Sequence, residues 1–135
     1  MIFNSDVTIC NFYNGSFFKT HLTGVELQNR YSARRLPGVN ETDDRCLLII
    51  KFDPTQKTTN DGYKFLYPKE WEDLEDKDGY FTIQTDRDFF IMGDFSNSVI
   101  TDFDSFKNDH PNITFLINEF REYTSVLPHW EIWGN

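Results

Sequence analysis

The sequence is short of cysteine and of positive charge, and each shortage excludes a class of protein. Two cysteines among 135 residues, Cys10 and Cys46, cannot supply the disulfide framework of a small secreted domain. The 13 Lys and Arg are outnumbered by 22 Asp and Glu, which gives a formal net charge of −9. The chain therefore lacks the basic surface with which proteins bind nucleic acid, and it is poorly suited to an anionic membrane surface.

Long apolar runs and a leader-like N-terminus are also missing. The longest aliphatic run, residues 46–50, is far shorter than the roughly 20 residues that span a bilayer. Residues 1–6 have neither the basic region nor the apolar stretch of a signal peptide. We expect a soluble protein that is made in a reducing cytoplasm and has no membrane partner.

Aromatic side chains, by contrast, are abundant. Hydrophobic residues make up 39% of the chain and aromatic residues 17%, whereas disordered chains are poor in aromatics. A chain of 135 residues corresponds to one domain and can bury a core without disulfides or a metal. The composition predicts a single folded domain over residues 1–135.

Apolar and polar residues alternate along many short segments, which is typical of β-strands. Asn14-Gly15-Ser16 is a strong hairpin signal, because Asn and Gly tolerate positive φ. Gly24 is expected to end the second strand, and Asp86-Arg87 to form a tight reversal between two later strands. The segment 45–52 is almost continuously apolar, which predicts burial on both faces. The predicted strands cover residues 6–13, 17–22, 25–31, 45–52, 63–67, 80–85, 88–92, 113–123 and 129–134.

One short helix is predicted around residues 68–76. Pro68 fits the first position of a helix, and the acidic residues after it suit the positive end of a helix dipole. Trp71 and Leu74 lie three residues apart, so both can dock the helix on the sheet.

Two polar segments, residues 34–44 and 53–62, contain Pro, Gly and charged residues and are predicted to be loops. Phe103 and Phe106 lie three apart and allow one further helical turn. Turn signals recur about every 10 residues, which suggests a compact sandwich or barrel. The predicted fold is mostly β: a small β-barrel or sandwich of about eight short strands with one short helix and long polar loops.

Sequence motifs that carry chemistry are mostly missing. No glycine precedes a lysine as a phosphate-binding loop requires, and there is no Gly-x-Ser-x-Gly elbow. His21, His110 and His129 do not lie at metal-ligand spacing from one another or from a cysteine. Cys10 and Cys46 are interpreted as small core residues. We therefore predict a non-enzymatic protein with no catalytic, cofactor-binding or metal-binding residues.

The acidic segment 73–78 raises a calcium hypothesis. Aligned to an EF-hand loop, it puts Leu74 and Thr85 where carboxylates are needed, so that motif fails. A looser calcium site around Asp102 and Asp104 stays open. A small calcium-dependent binding module or a hydrolase is therefore the alternative of a different functional class. The plainer interpretation of these acidic residues is a solvated surface.

The most distinctive local pattern lies at the C-terminal end of the sequence, at His129, Trp130 and Trp133. These rings can anchor a final strand, with a tryptophan in the core. They can also form a subunit contact, where tryptophan is enriched, or stack on a ligand.

The chain resembles, over nearly its whole length, a family of short tailed-bacteriophage proteins encoded among the head and head–tail joining genes. The resemblance rests on the order and spacing of NSDVTICNFYNG with THLTGVELQNR, DRCLLIIKF, YKFLYPKEWEDLEDKDGYFTIQTDRDFFIMGDF and NITFLINEFREYTSVLPHWEIWGN. One departure is the turn before His129, where the family usually holds a Gly-Ser pair and this chain has YTSVLP at residues 123–128. A strand ending in Gly-Asp, a crossing and a final hairpin also resemble the small β-barrels of phage head-closure and connector proteins.

The resemblance implies a virion structural protein of the head–tail connector, in the manner of a head-closure (stopper) protein. Such a protein forms a homo-oligomeric ring of about six or twelve copies in the neck, between the portal-side adaptor and the tail proteins. Double-stranded DNA would pass through the ring without specific binding, since an acidic lumen repels phosphates. The protein would be synthesised in the bacterial host cytoplasm and reside in the virion. A tail-terminator ring or a capsid-associated minor protein is the alternative within the virion.

Long polar loops on a rigid barrel can reach a neighbouring subunit or the channel axis. The residues of the two loops that we expect to make such contacts are Arg34, Arg35, Asp43, Asp44, Asp53, Gln56, Lys57 and Asn60.

Overall fold

The computed structural model describes residues 2–30 and 45–135. Within these ranges the chain forms eight strands and two helices. In chain order they are β1 (Ser5–Tyr13), β2 (Ser16–Arg30), β3 (Arg45–Lys51), β4 (Lys64–Phe65), α1 (Pro68–Glu72), β5 (Tyr80–Phe81), β6 (Phe89–Met92), α2 (Phe103–Asp109), β7 (Thr114–Tyr123) and β8 (His129–Gly134).

Six of these strands form a closed antiparallel barrel in the order β1-β2-β3-β8-β7-β6. The remaining two, β4 and β5, pair in parallel as a small separate sheet. The predicted mostly-β fold is therefore confirmed, and of its two forms the chain adopts the barrel. Because the barrel is closed, each of these six strands has a barrel strand on both sides, although β2 and β7 extend beyond their shorter neighbours.

The β1–β2 hairpin forms where the sequence predicts it. Asn14 and Gly15 have φ values of 52° and 80°, the positive values that a tight two-residue hairpin turn needs. Tyr13 pairs with Ser16 across the turn.

The prediction that Gly24 ends the second strand is wrong. β2 continues to Arg30, and Gly24 takes a φ of 65° within it. The β1–β2 register shifts between Ser5 and Asp6, close to the pairing of Asp6 with Thr23. This irregularity lets the first half of β2 pair with β1 and the second half with β3.

The predicted tight reversal at Asp86-Arg87 forms, but the strands on either side of it do not pair with each other. β5 pairs with β4, whereas β6 pairs with β1 and β7. The chain does turn here, with Asp86 at a φ of 62°. β5 and β6, on either side of this turn, nevertheless belong to different sheets.

Both helices are short. α1 begins at Pro68 as predicted but ends at Glu72, and Lys77 Nζ donates to the carbonyls of Glu72 and Leu74 just beyond it. Trp71 docks the helix and is fully buried. The expected turn around Phe103 and Phe106 is extended into α2, so the part of the chain that is described has two helices rather than one. Neither helix is long and apolar enough to cross a membrane.

The barrel interior holds the main hydrophobic core. β3 is buried on both faces from Cys46 to Ile50, as its continuous apolar character predicts. A second cluster lies on the outside of the barrel wall, where Phe103 and Phe106 of α2 cover Cys10, Phe89 and Ile91. Because the wall is covered on both sides, β1 buries consecutive residues, whose side chains point alternately into the barrel and out of it.

The segment 52–88 closes one end of the barrel. It connects the end of β3 to the start of β6, and antiparallel pairing places the β1–β2 and β7–β8 turns at that same end. Phe65 and Phe81 of this segment pack on Trp130 of β8, with ring centroids 5.0 and 5.8 Å apart. We call residues 52–88 the cap, and we call the cap, the turns at 14–15 and 124–128 and the strand ends that flank these turns the capped end.

Candidate functional site

The predicted contact loop 53–62 lies at the capped end and is held by its own hydrogen bonds. The Asp53 carboxylate accepts from the Thr55 amide at 2.9 Å, and the Asp53 amide donates to the Thr58 carbonyl at 2.9 Å. Asp61, which the sequence reasoning did not single out, accepts from both the amide and the hydroxyl of Thr23 at 2.7 Å. The loop is thereby fastened to β2.

Of the other predicted contact residues, Gln56 and Asn60 are exposed in this loop. Arg34, Arg35, Asp43 and Asp44 lie outside the residues that the structure describes.

Two sequence-predicted residues, Lys57 and Trp130, meet in one polar cluster with Tyr67 and Glu122. Trp130 Nε1 donates to Glu122 Oε1 at 3.0 Å, and the Tyr67 hydroxyl donates to Glu122 Oε2 at 2.9 Å. Lys57 Nζ donates to the Tyr67 hydroxyl at 2.7 Å and lies 3.4 Å from the Glu122 carboxylate. The cluster joins three separate pieces of chain at the capped end.

The charge state of Glu122 reflects these contacts. Burial alone would raise the pKa of Glu122, but the hydrogen bonds from Trp130 and Tyr67 and the charge of Lys57 lower it below its usual value. The hydrogen bond to Tyr67, together with Glu122, raises the pKa of Lys57. Sequence reasoning missed Glu122 because only the tertiary structure brings it beside Trp130.

The three C-terminal candidates have different environments. Trp130 is fully buried in the barrel core and stacks on Phe52 with centroids 4.0 Å apart. Trp133 is partly buried, with the Arg45 guanidinium 4.6 Å above its ring. His129 stacks on Tyr123 with centroids 4.8 Å apart. Trp130 therefore serves as a core anchor, and Trp133 and His129 lie nearer the surface.

A buried carboxylate that the sequence did not reveal lies under the cap. Asp88 is fully buried and accepts from the Phe12 and Gln84 amides at 3.0 Å and from Asn11 Nδ2 at 2.9 Å. Arg87 donates to both of its oxygens and, through Nη1, to Glu72 at 2.7 Å.

The partner of Asp88, Asn11, offered the one sequence signal for this network. It is a polar residue on the interior face of a strand that also carries Val7 and Ile9, and a buried amide needs hydrogen-bond partners. Since every Asp88 contact is internal, this cluster joins the cap to β1 and has no oxygen to spare for a substrate.

Asp102, one of the two residues of the calcium hypothesis, has a structural role at the start of α2. Asp102 precedes α2, and its side chain accepts from the Ser105 amide at 2.8 Å and the Ser105 hydroxyl at 3.0 Å. These bonds lower the pKa of Asp102. Asp102 is thus a helix N-cap. No group of three or more His, Cys, Asp or Glu side chains with metal-binding geometry occurs in residues 2–30 and 45–135.

Both cysteines lie in the core, as the sequence indicates. Cys10 and Cys46 are free thiols and fully buried. Burial raises the pKa of each to about 12. Reactive cysteines have lowered pKa values and some exposure, so neither thiol fits a nucleophile.

A cavity with a volume of about 470 Å³ lies at the capped end. Four aromatic residues, Phe17, Phe18, Tyr63 and Tyr80, line it together with two lysines and one aspartate. One of the lysines, Lys77, holds its ammonium 4.9 Å from the Tyr13 ring, 5.1 Å from Trp71 and 5.7 Å from Phe18. The cavity therefore combines aromatic rings with polar groups, and it is locally more basic than the acidic chain as a whole.

The β7–β8 turn, residues 124–128, projects from the opposite part of the capped end. Val126 is fully exposed and has a φ of 68°, which is rare for a β-branched residue. The Leu127 amide donates to the Ser125 carbonyl at 2.9 Å, which makes Val126 the centre of a strained γ-turn. The sequence reasoning identified this turn as a departure from the family pattern but did not identify the strain.

Comparisons with protein-family models, with curated proteins and with solved structures gave no match to this chain.

Proposed function

We propose that this protein is a non-enzymatic structural subunit of a bacteriophage virion, which assembles as a ring in the head–tail connector and acts in head closure. The family resemblance of the sequence supplies the virion assignment. The arrangement of the barrel supports a protein that works by contact with other proteins.

The observation that carries this proposal is the distribution of exposed apolar side chains. Nine large hydrophobic residues of the described chain are exposed, and all but Ile2 and Val99 lie at the capped end. The seven at the capped end are Tyr13, Phe18, Tyr67, Tyr80, Tyr123, Val126 and Leu127. Exposed apolar residues gathered at one place are typical of protein–protein contact surfaces.

Closure of the barrel limits how such a subunit can assemble. Each of the six barrel strands has a barrel strand on both sides, so extension of the whole sheet by a second copy is disfavoured. Assembly is therefore expected to use side chains and turns at the barrel surface. A contact between two different patches of the same chain is heterologous, and it closes into a ring when the rotation between neighbours is right.

The polar clusters at the capped end are more consistent with a structural role than with catalysis. Asp88, Glu122 and Lys57 use their charged groups in internal hydrogen bonds. A catalytic acid or base has to reach a substrate proton, whereas these groups hold the cap to the barrel.

The test is the composition and form of particles produced with and without this protein. Deleting the gene from its phage should give heads that lose DNA or lack tails when viewed by electron microscopy. Quantitative mass spectrometry of wild-type particles should find about six or twelve copies each. Normal infectious particles from the deletion strain would overturn the proposal, and hundreds of copies would assign the protein to the shell or tail tube instead.

A further inference from the structure

Within that assembly, which rests on the proposed function, we propose a specific contact between copies: the 124–128 turn of one subunit docks in the aromatic cavity of its neighbour. The cavity is the one lined by Phe17, Phe18, Tyr63 and Tyr80. The occupant is a second copy of this chain.

The first argument is the strained turn. Val126 adopts a positive φ that costs a β-branched residue free energy, and its side chain gains no contact within its own subunit because it is fully exposed. Leu127 beside it is 43% exposed. Together the two residues form an apolar knob that is not packed against the rest of its own subunit.

The second argument is charge. Two copies of a chain with a net charge of −9 repel each other, so a contact between copies is most favourable where acidic groups are few. The turn 124–128 reads TSVLP and has no charged residue. The cavity has two lysines against one aspartate. A contact between knob and cavity therefore brings few acidic groups together.

The third argument is position. In the barrel order β1-β2-β3-β8-β7-β6, β2 and β7 are three steps apart in a ring of six, which places them on opposite sides. The cavity lies at the start of β2, and the knob follows β7, both at the capped end. A knob on one side and a cavity on the other side of the same end link subunits head to tail, the arrangement that closes into a ring.

The experiment is a thiol exchange between two full-length variants that each carry one added cysteine. Val126→Cys is converted to its mixed disulfide with thionitrobenzoate and is mixed with Tyr80→Cys. Attack by the Tyr80→Cys thiolate forms the intersubunit disulfide and releases thionitrobenzoate, whose absorbance gives the rate. The native thiols react far more slowly than the added ones, because both are buried and burial raises the pKa of each to about 12, and the control pair carries the same native thiols.

The matched control replaces the knob variant by Val99→Cys, which is 89% exposed and lies outside the capped end. Docking predicts that the Val126→Cys and Tyr80→Cys pair reacts at least about tenfold faster than the control pair, since bound subunits hold the thiols at a high effective concentration. Equal rates for the two pairs, measured up to the solubility limit, would overturn the docking contact.

The two proposals fail in different ways. A preferential disulfide in a protein that is missing from virions would support the docking contact and overturn the connector role. Virions that contain the protein, combined with equal exchange rates, would leave the connector role intact and assign the ring to other surfaces.

Discussion

At the scale of single residues, the strained Val126 and the partly buried Glu122 are the most informative side chains. Val126 holds an unfavourable backbone conformation in full contact with solvent, so no local packing explains it. Glu122 shows the opposite case, a carboxylate whose partners all come from its own subunit. The first residue is suited to a contact with another molecule, and the second maintains the fold.

Replacing Val126 by glycine should stabilise the isolated protein. Glycine adopts positive φ freely, so the substitution removes strain of about 1–3 kcal/mol, less about 0.5–1 kcal/mol for the greater freedom of glycine in the unfolded chain. We expect the free energy of unfolding to rise by about 1 kcal/mol, measured by urea denaturation.

The matched control is Ser125→Gly, in the same turn but without a positive φ. That variant should be neutral or slightly destabilised. If Val126→Gly has no more effect than Ser125→Gly, the turn carries no strain.

Glu122→Gln should change how stability depends on pH. The folded-state pKa of Glu122 lies below its ordinary value of 4.5, so its contribution is complete above that pH and disappears as the pH falls through the folded value. We expect Glu122→Gln to lose about 1–2 kcal/mol at pH 7 and progressively less at an acidic pH below 4.5. Urea denaturation at both pH values measures the difference.

The control for that substitution is Glu119→Gln, a more exposed carboxylate on the same strand, 3.5 Å from Arg121. Its difference from the wild type should stay within about 0.5 kcal/mol at both pH values. A constant deficit of Glu122→Gln across the pH range would contradict the role of the Glu122 charge.

At the scale of elements, the end of β8 shows how tightly the barrel wall is built. A Cβ added at Gly134 would lie 2.8 Å from Phe115 Cβ, 2.9 Å from Phe90 and 3.0 Å from the Leu116 carbonyl. Glycine is therefore required here by the close approach of β6, β7 and β8, not by its backbone angles.

Gly134→Ala should destabilise the protein by about 1–3 kcal/mol, because the added methyl group forces packed rings and backbone apart. Chemical denaturation monitored by tryptophan fluorescence measures the loss. Asn135→Ala, which removes an exposed side chain next to it, should change stability by less than about 0.5 kcal/mol. Equal stability of the two variants would show that the barrel wall accommodates the added methyl group without loss of folding free energy.

Local patterns predicted individual elements better than their pairing. The Asn14-Gly15 turn and the two-sided burial of β3 were both readable, since turn chemistry and apolar continuity are properties of a few adjacent residues. The reversal at Asp86-Arg87 was readable too, but the pairing of the strands beside it was not. β5 pairs with β4 and β6 with β1, and these pairings involve residues far away in the sequence.

At the scale of the whole molecule, the barrel wall separates two apolar clusters that differ in how easily they open to solvent. The interior core contains Cys46, and the outer cluster contains Cys10 under the seven-residue helix α2. Exposing Cys46 requires the barrel to open, whereas exposing Cys10 requires only that α2 leave the wall. Such differences in local opening are common within one domain.

Labelling with a thiol reagent at pH 8 should therefore modify Cys10 at least about tenfold faster than Cys46. Mass spectrometry of proteolytic fragments gives both rates. Phe106→Ala, which weakens the contact of α2 with the wall, should accelerate Cys10 more than Cys46. A single common rate for both thiols in every variant would mean that the molecule opens only as one unit.

The sequence by itself determined that the chain is an aromatic-rich β protein, where its first hairpin turns, which strand is buried on both sides, and that its cysteines belong to the core. These follow from composition and short-range periodicity. Only the tertiary structure decided that the strands close into a barrel, that Glu122 meets Trp130 and Lys57, that Asp88 joins the cap to β1, and that the 124–128 turn lies opposite the aromatic cavity. The reason is physical: periodicity sets which face of a strand is apolar, but the partner of each strand depends on contacts between residues far apart in the chain, which no local pattern encodes.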